Sequence, residues 1–99
     1  GRVAHVAHLE VDLVGPDGKV WAGEATMVVA PAHDGSLGVL PGHAPILALL
    51  SDGHVKIVPV SGATLTCDVG GGFLSVDSDR VTIVVDSVGE LEHAAPSGH

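Results

Sequence analysis

The stretch that decides the fold is Gly35-Ser36-Leu37-Gly38-Val39-Leu40-Pro41-Gly42-His43-Ala44-Pro45, which has three glycines and two prolines among its eleven residues. Glycine reaches backbone angles that are closed to other residues, whereas proline fixes φ and lacks an N–H donor. Leu37, Val39 and Leu40 lie between them and favour burial. The stretch therefore predicts a short extended segment that bends sharply at both ends.

The residues before this stretch have the pattern of β-hairpins. Leu9, Val11 and Leu13 alternate with polar residues, which predicts a half-buried strand over 8–14. The turn signal Gly15-Pro16-Asp17-Gly18 follows, and then come a second predicted strand over 19–25 and a third over 26–30 that ends at Pro31.

The residues after the stretch continue in the same way. Ile46-Leu47-Ala48-Leu49-Leu50 is uninterrupted apolar sequence, which predicts a strand buried on both faces. If the run is not wholly core, it is instead the candidate apolar patch of an interface. Gly70-Gly71-Gly72 predicts a break or a bulge. Further strands are predicted over 54–60, 64–69, 73–76 and 81–85.

These patterns predict an all-β fold, a sandwich or barrel of about ten short strands, because turn signals recur at roughly eight to twelve residues. No segment has an apolar 3.6-residue repeat long enough for a packed helix. We assign residues 1–88 to one β-sandwich domain and residues 89–99, which lack periodicity, to a short flexible C-terminal tail.

Composition excludes several classes of function. The formal net charge is −8, so a basic face for nucleic acid or anionic lipid is not available. Aromatic residues make up only 2% of the chain. No apolar run approaches the roughly 20 residues that span a bilayer, so we expect no direct membrane insertion. Cys67 lies in an alternating apolar run and is predicted to be a buried, inert thiol.

The sequence contains no pattern typical of catalysis or of cofactor binding. It lacks the G-x-S-x-G nucleophile elbow and the G-x-x-x-x-G-K-[ST] phosphate loop. His5 and His8 are three residues apart, so on a strand they point to opposite faces and do not form a metal site. We therefore predict no catalytic residues, no cofactor and no metal, and a domain that works by presenting a surface.

The central stretch resembles the G-x-L-G-[IV]-x-P-x-H-x-P signature of the epsilon subunit of F-type ATP synthases, whose mitochondrial equivalent is called delta. Further similarities extend the resemblance over residues 8–88. They are an aromatic-x-Gly in Trp21-Ala22-Gly23, a middle hairpin at Asp52-Gly53-His54-Val55-Lys56-Ile57, and a closing pair of strands beginning at Gly71-Gly72-Phe73-Leu74.

This resemblance implies a flattened β-sandwich of about ten strands in a non-catalytic subunit of the central stalk. Its partners would be the gamma subunit and the membrane rotor ring of c subunits. Such a subunit couples proton flow through the ring to ATP synthesis, and it would lie peripherally on the cytoplasmic face of the bacterial plasma membrane.

The resemblance also implies individual site residues. His43 and Ala48 match positions that face gamma. Ser36 falls where the family often has a glutamate that touches the rotor ring. The negative charge of that glutamate is therefore missing at position 36, and we hypothesise that the Asp34 carboxylate replaces it.

Many family members continue into a C-terminal helical hairpin that inhibits ATP hydrolysis and in some cases binds ATP. This chain has Ala94-Ala95-Pro96 near its end at His99, so we expect no such hairpin and no ATP binding. The alternative function is a stand-alone β-sandwich module for a small ligand or carbohydrate, which would need exposed aromatic side chains. A cupin-type metalloenzyme would need an H-x-H pair, and the sequence has none.

Overall fold

The computed structural model describes residues 7–94, and the side chains of residues 7–89. This part of the chain folds into seven strands and contains no helix long and apolar enough to cross a lipid bilayer. The strands are β1 (Leu9–Gly15), β2 (Gly18–Ala32), β3 (Gly35–Val39), β4 (Ile46–Pro59), β5 (Thr64–Asp77), β6 (Arg80–Val85) and β7 (Val88–Ala94).

Three long strands pass through both layers of the sandwich. One layer contains β1, β6, the first halves of β2 and β4, and the second half of β5. The other layer contains β3, β7, the second halves of β2 and β4, and the first half of β5. The all-β class is thus confirmed. The seven strands supply ten layer segments, because β2, β4 and β5 each count twice.

The long strands change layers where the backbone is irregular. The pairing of β2 with β4 shifts register between Ala25 and Met27. In β5 the crossing falls on Gly70-Gly71-Gly72, where Gly71 and Gly72 have φ of 79° and 123°. The predicted break at these glycines is therefore a bend inside one continuous strand. The predicted second and third strands are likewise one strand, β2, and the strands predicted over 46–50 and 54–60 are one strand, β4.

The core follows from the alternation seen in the sequence. Leu9, Val11 and Leu13 of β1 are buried, and so are Val81 and Ile83 of β6, which pairs with β1 in parallel. No buried residue among those described is polar or charged. The interior is therefore held by close packing of aliphatic side chains rather than by a polar network.

The aromatic-x-Gly motif has a packing role. The indole of Trp21 lies over the backbone of Gly23, and a Cβ built on this glycine would be 2.8 Å from the ring edge. Because Gly23 has no side chain, the indole ring fits over its backbone. Trp21 is half-buried and packs against the core. The tryptophan is therefore not a free stacking surface for a sugar, which removes support for the carbohydrate-binding alternative.

The end of the chain differs from the predicted tail. Val88–Ala94 forms β7, which pairs antiparallel with β5 from Val69↔Val88 to Thr64↔Ala94. Strand pairing uses backbone N–H and C=O groups that every residue except proline has, so it left no periodic signal in the sequence. Residues 95–99 lie outside the described residues.

Candidate partner-binding surface

The signature stretch ends in a tight turn that carries His43. The His43 N–H donates to the Leu40 carbonyl oxygen at 3.1 Å and closes a four-residue turn with Pro41 and Gly42 at its centre. Gly42 has φ of 88°. Proline followed by a positive-φ glycine is the arrangement that a type II β-turn requires.

The His43 ring is held by a local hydrogen bond. Its Nδ1 lies 2.7 Å from the Ala44 carbonyl oxygen, and since a carbonyl only accepts, Nδ1 is the donor. In the neutral ring the lone pair is then on Nε2, on the other side of the imidazole. The half-buried ring can therefore accept a hydrogen bond from a partner through Nε2.

Asp34 and Ser36 lie at the tip of the β2–β3 hairpin. Ala32 pairs with Gly35 across a two-residue turn of His33 and Asp34, and Ser36 pairs with Pro31. Residues 33–36 are all exposed. The His33 N–H donates to the Leu49 carbonyl oxygen at 3.3 Å, so the tip lies beside the first half of β4.

Ala48 faces the interior rather than the outer surface. It alternates with Leu47 and Leu49, shares a strand face with buried Leu50, and pairs across the sheet with buried Leu74. Ala48 is itself half-buried. The structure therefore does not bring Ala48 onto the same outward face as its neighbours on β4.

An apolar outer face lies on β4 and β5. Leu47 is 72% exposed, Leu49 62% and Phe73 39%, and Leu49 pairs directly with Phe73. We call these three residues the apolar face. The prediction that residues 46–50 form a strand is confirmed, but burial on both faces is wrong, because a strand in a two-layer sandwich has only one neighbouring layer.

The apolar face joins the two predicted contact regions. The His43 turn leads into β4 just before Leu47, and the hairpin tip of Asp34 and Ser36 is hydrogen-bonded through His33 beside Leu49. His43 and the hairpin tip thus flank one outward strip of the first half of β4, although they are separate in sequence.

Within residues 7–89 the side chains that could ligate a metal are dispersed, and the Cys67 thiol is buried. Among residues 7–89, no three His, Cys, Asp or Glu side chains converge as metal ligands. Burial raises the pKa of the Cys67 thiol, and the Asp68 carboxylate adds to this. Cys67 is therefore a neutral core residue, as its sequence pattern predicted.

Sequence reasoning offered residues 46–50 as an apolar interface patch in case they are not wholly core, but it missed Phe73 and a further residue, Asp79. The alternation within 46–50 contained the signal for the exposed side of that patch, since any two-layer fold must expose every second residue of such a run. Asp79 had no signal, because its contact with Gly42 joins residues that are 37 positions apart.

Comparison with known proteins gives a consistent result. The family model for the β-sandwich domain of the ATP synthase delta/epsilon chain matches residues 8–90. The ATP synthase epsilon chain of Micrococcus luteus is 44% identical over 82 residues, which cover 83% of this chain and 90% of that relative. The epsilon chain of Frankia casuarinae is 44% identical over 79 residues, covering 80% and 93%.

Other relatives are longer than this chain. The epsilon chain of Streptomyces griseus is 44% identical over 80 residues, covering 81% of this chain and 64% of that relative. Among solved structures, a chain of the Euglena gracilis mitochondrial ATP synthase superposes with a TM-score of 0.79 at 21% identity, covering 90% of this chain and 57% of that one. This last similarity concerns the fold.

Proposed function

We propose, from the premise that this chain belongs to the ATP synthase delta/epsilon chain family through its β-sandwich domain, that it is a central-stalk subunit of a rotary ATP synthase. The epsilon chain is a non-catalytic subunit of that membrane-associated complex. Its proposed role is to couple proton flow through the membrane ring to ATP synthesis by holding the gamma subunit and the ring.

The apolar face carries the proposal that gamma binds along β4. Leu47, Leu49 and Phe73 present adjoining apolar surface, which in a soluble domain marks an interaction site. His43 lies at one end of this face and offers Nε2 as an acceptor. We place the main gamma contacts on this face and on His43, and Ala48 at its margin, because Ala48 turns toward the core.

The exposed hairpin tip supports the proposed contact with the rotor ring. Asp34 and Ser36 project at the β2–β3 turn, where β3 pairs only with β2 among the described strands. Asp34 supplies a carboxylate in the tip, while the uncharged Ser36 hydroxyl can take part only in a hydrogen bond. A ring of c subunits with a basic polar loop is the partner that this tip fits.

A rigid body suits the proposed mechanical role. Within residues 7–89 the core is packed from aliphatic side chains without buried polar residues, and three strands are shared between both layers. Both features oppose shear between the two contact regions. We place the chain peripherally on the cytoplasmic face of the plasma membrane, where the gamma subunit and the polar loops of the ring would meet it.

Calorimetric titration of this chain with the gamma subunit from the same source tests the proposal. We expect tight binding, a loss of about fivefold to thirtyfold for His43→Ala, and a larger loss for Leu49→Asp, which would place a charge in a desolvated interface. Val60→Asp is the matched control, because Val60 is 47% exposed beyond the opposite end of β4.

The outcomes separate the assignment from the surface. If the folded chain does not bind gamma, the proposed function is refuted. If the three variants bind as tightly as the unmodified chain, the stalk assignment stands and the apolar face is refuted as the gamma site.

A further inference from the structure

Asp79 connects three separate parts of the chain. It lies in the two-residue turn between β5 and β6, and its Oδ1 accepts a hydrogen bond from the Gly42 N–H at 2.7 Å. Its backbone carbonyl oxygen accepts from the Glu10 N–H at 2.8 Å. The start of β1, the β5–β6 turn and the His43 turn are thereby tied together at one residue.

The backbone around Asp79 is shaped for this contact. Ser78 and Asp79 have φ of 52° and 63°, the left-handed pair that a two-residue hairpin turn requires. Aspartate tolerates that conformation better than most side chains do. The turn thus directs a carboxylate across to the Pro41–Gly42 turn without a steric penalty typical of larger residues.

The nearby Arg80 guanidinium is paired with a different carboxylate. Arg80 Nη2 donates to Glu10 Oε1 at 3.1 Å, and Glu10 lies on β1, the strand that pairs with β6. The Asp79 Oδ1 accepts from the Gly42 amide. A hydrogen bond from a backbone N–H to a carboxylate is short and stronger than a neutral one.

We propose that Asp79 is a positioning residue: its carboxylate clamps the Pro41–Gly42 turn and so fixes the orientation in which His43 meets the partner. The link to partner binding rests on the proposed function. The clamp itself is a property of this chain alone. Without the carboxylate, the turn would keep the hydrogen bond from the His43 N–H to the Leu40 carbonyl oxygen and the one from His43 Nδ1 to the Ala44 carbonyl oxygen.

Three variants isolate the side chain from the backbone. Asp79→Gly removes the carboxylate but allows the same positive φ. Asp79→Asn keeps an acceptor oxygen and also tolerates that φ. Ser78→Gly is the matched control, because it loosens the same turn and leaves the bond to Gly42 in place.

Amide hydrogen exchange, measured by NMR on the folded chain, tests the clamp directly. We expect the Gly42 amide to exchange about tenfold faster in Asp79→Gly and to be close to unchanged in Ser78→Gly. Asp79→Asn should increase the exchange rate by a smaller factor, because its neutral oxygen still accepts but forms a weaker hydrogen bond. The ring signals of His43 should shift in Asp79→Gly only. Unchanged Gly42 exchange in Asp79→Gly would overturn the proposal.

Titration of the same variants with the gamma subunit tests the consequence. We expect Asp79→Gly to bind several-fold more weakly and the other two to bind like the unmodified chain. Equal binding by Asp79→Gly, with the unmodified chain binding well, would overturn the positioning role. If the unmodified chain fails to bind, the proposed function fails, and the exchange experiment alone decides whether the clamp exists.

Discussion

Replacement of Gly72 by alanine would test the account of how β5 changes layers. A Cβ on Gly72 would overlap the Val84 carbonyl oxygen and lie 2.7 Å from Val85 Cα and 2.9 Å from the Val84 carbonyl carbon. These atoms belong to the backbone of β6, which pairs with β5 at Gly72↔Val85 and cannot move as a side chain does. The positive φ of 123° adds strain for any residue with a Cβ.

The magnitude follows from these two costs. Overpacking against rigid atoms costs about 1–3 kcal/mol and the backbone conformation about 1–3 kcal/mol, so we expect the free energy of unfolding to fall by about 4 kcal/mol. A domain of this size has about 5–10 kcal/mol in total, and the midpoint of thermal unfolding should fall by roughly 15–30 °C.

Urea unfolding followed by circular dichroism, with two glycine controls, is the assay. Gly62→Ala has a positive φ of 105° and no atom within 4 Å of the new Cβ, so it reports the backbone cost alone. Gly38→Ala has open space and no positive φ, so it should be close to neutral. If Gly72→Ala destabilises no more than Gly62→Ala, the steric argument is refuted.

Three further predictions concern the core and the surface. Gly23→Ala should cost about 1–2 kcal/mol and shift the fluorescence of Trp21 to the red, because the indole would lose its place; unchanged fluorescence would contradict the packing role of the motif. Burial raises the pKa of the Cys67 thiol above its ordinary value of 9.0, so the folded chain holds this proton more tightly and loses stability as the pH rises above that value. Urea midpoints at about pH 8 and about pH 10.5 should therefore differ less in Cys67→Ala than in the unmodified chain, and an equal difference would rule out this origin. Leu49→Ser should change the free energy of unfolding by less than about 0.5 kcal/mol while lowering the binding of a hydrophobic dye, since its side chain is mostly exposed; a large loss of stability would show that Leu49 belongs to the core.

The apolar face has a consequence for how the chain behaves without its partner. Exposed leucines beside a partly exposed phenylalanine favour association with other apolar surfaces. The net charge of −8 opposes self-association by repulsion between copies. The combination agrees with the proposal that a partner covers this surface.

Much of the fold was readable from local sequence. Alternation over residues 8–14 and 81–85 predicted the core strands β1 and β6, because on a strand every second side chain points to the same layer. The glycines and prolines of residues 35–45 predicted an extended segment with a sharp bend at each end, because these residues set or widen the backbone angles that a bend requires. The signature around His43 indicated the family, which the matches over residues 8–90 confirm.

Other features depended on which segments meet. Leu47 and Leu49 would be buried only if a layer packed on each side of β4. The apolar sequence of residues 46–50 does not show how many layers pack against this strand. The strand over 88–94 depended on an open edge of β5, offered by backbone groups that residues of nearly any type possess. The bond from Gly42 to Asp79 required two turns to be folded onto each other.

The sequence by itself determined the all-β class, the turns at residues 15–18 and 77–79 and the family, since periodicity, glycine and proline act through neighbours along the chain. Only the tertiary structure decided the outward apolar face, the interior orientation of Ala48 and the clamp at Asp79. Each of these depends on contacts between distant segments, which exist only after the sandwich has closed.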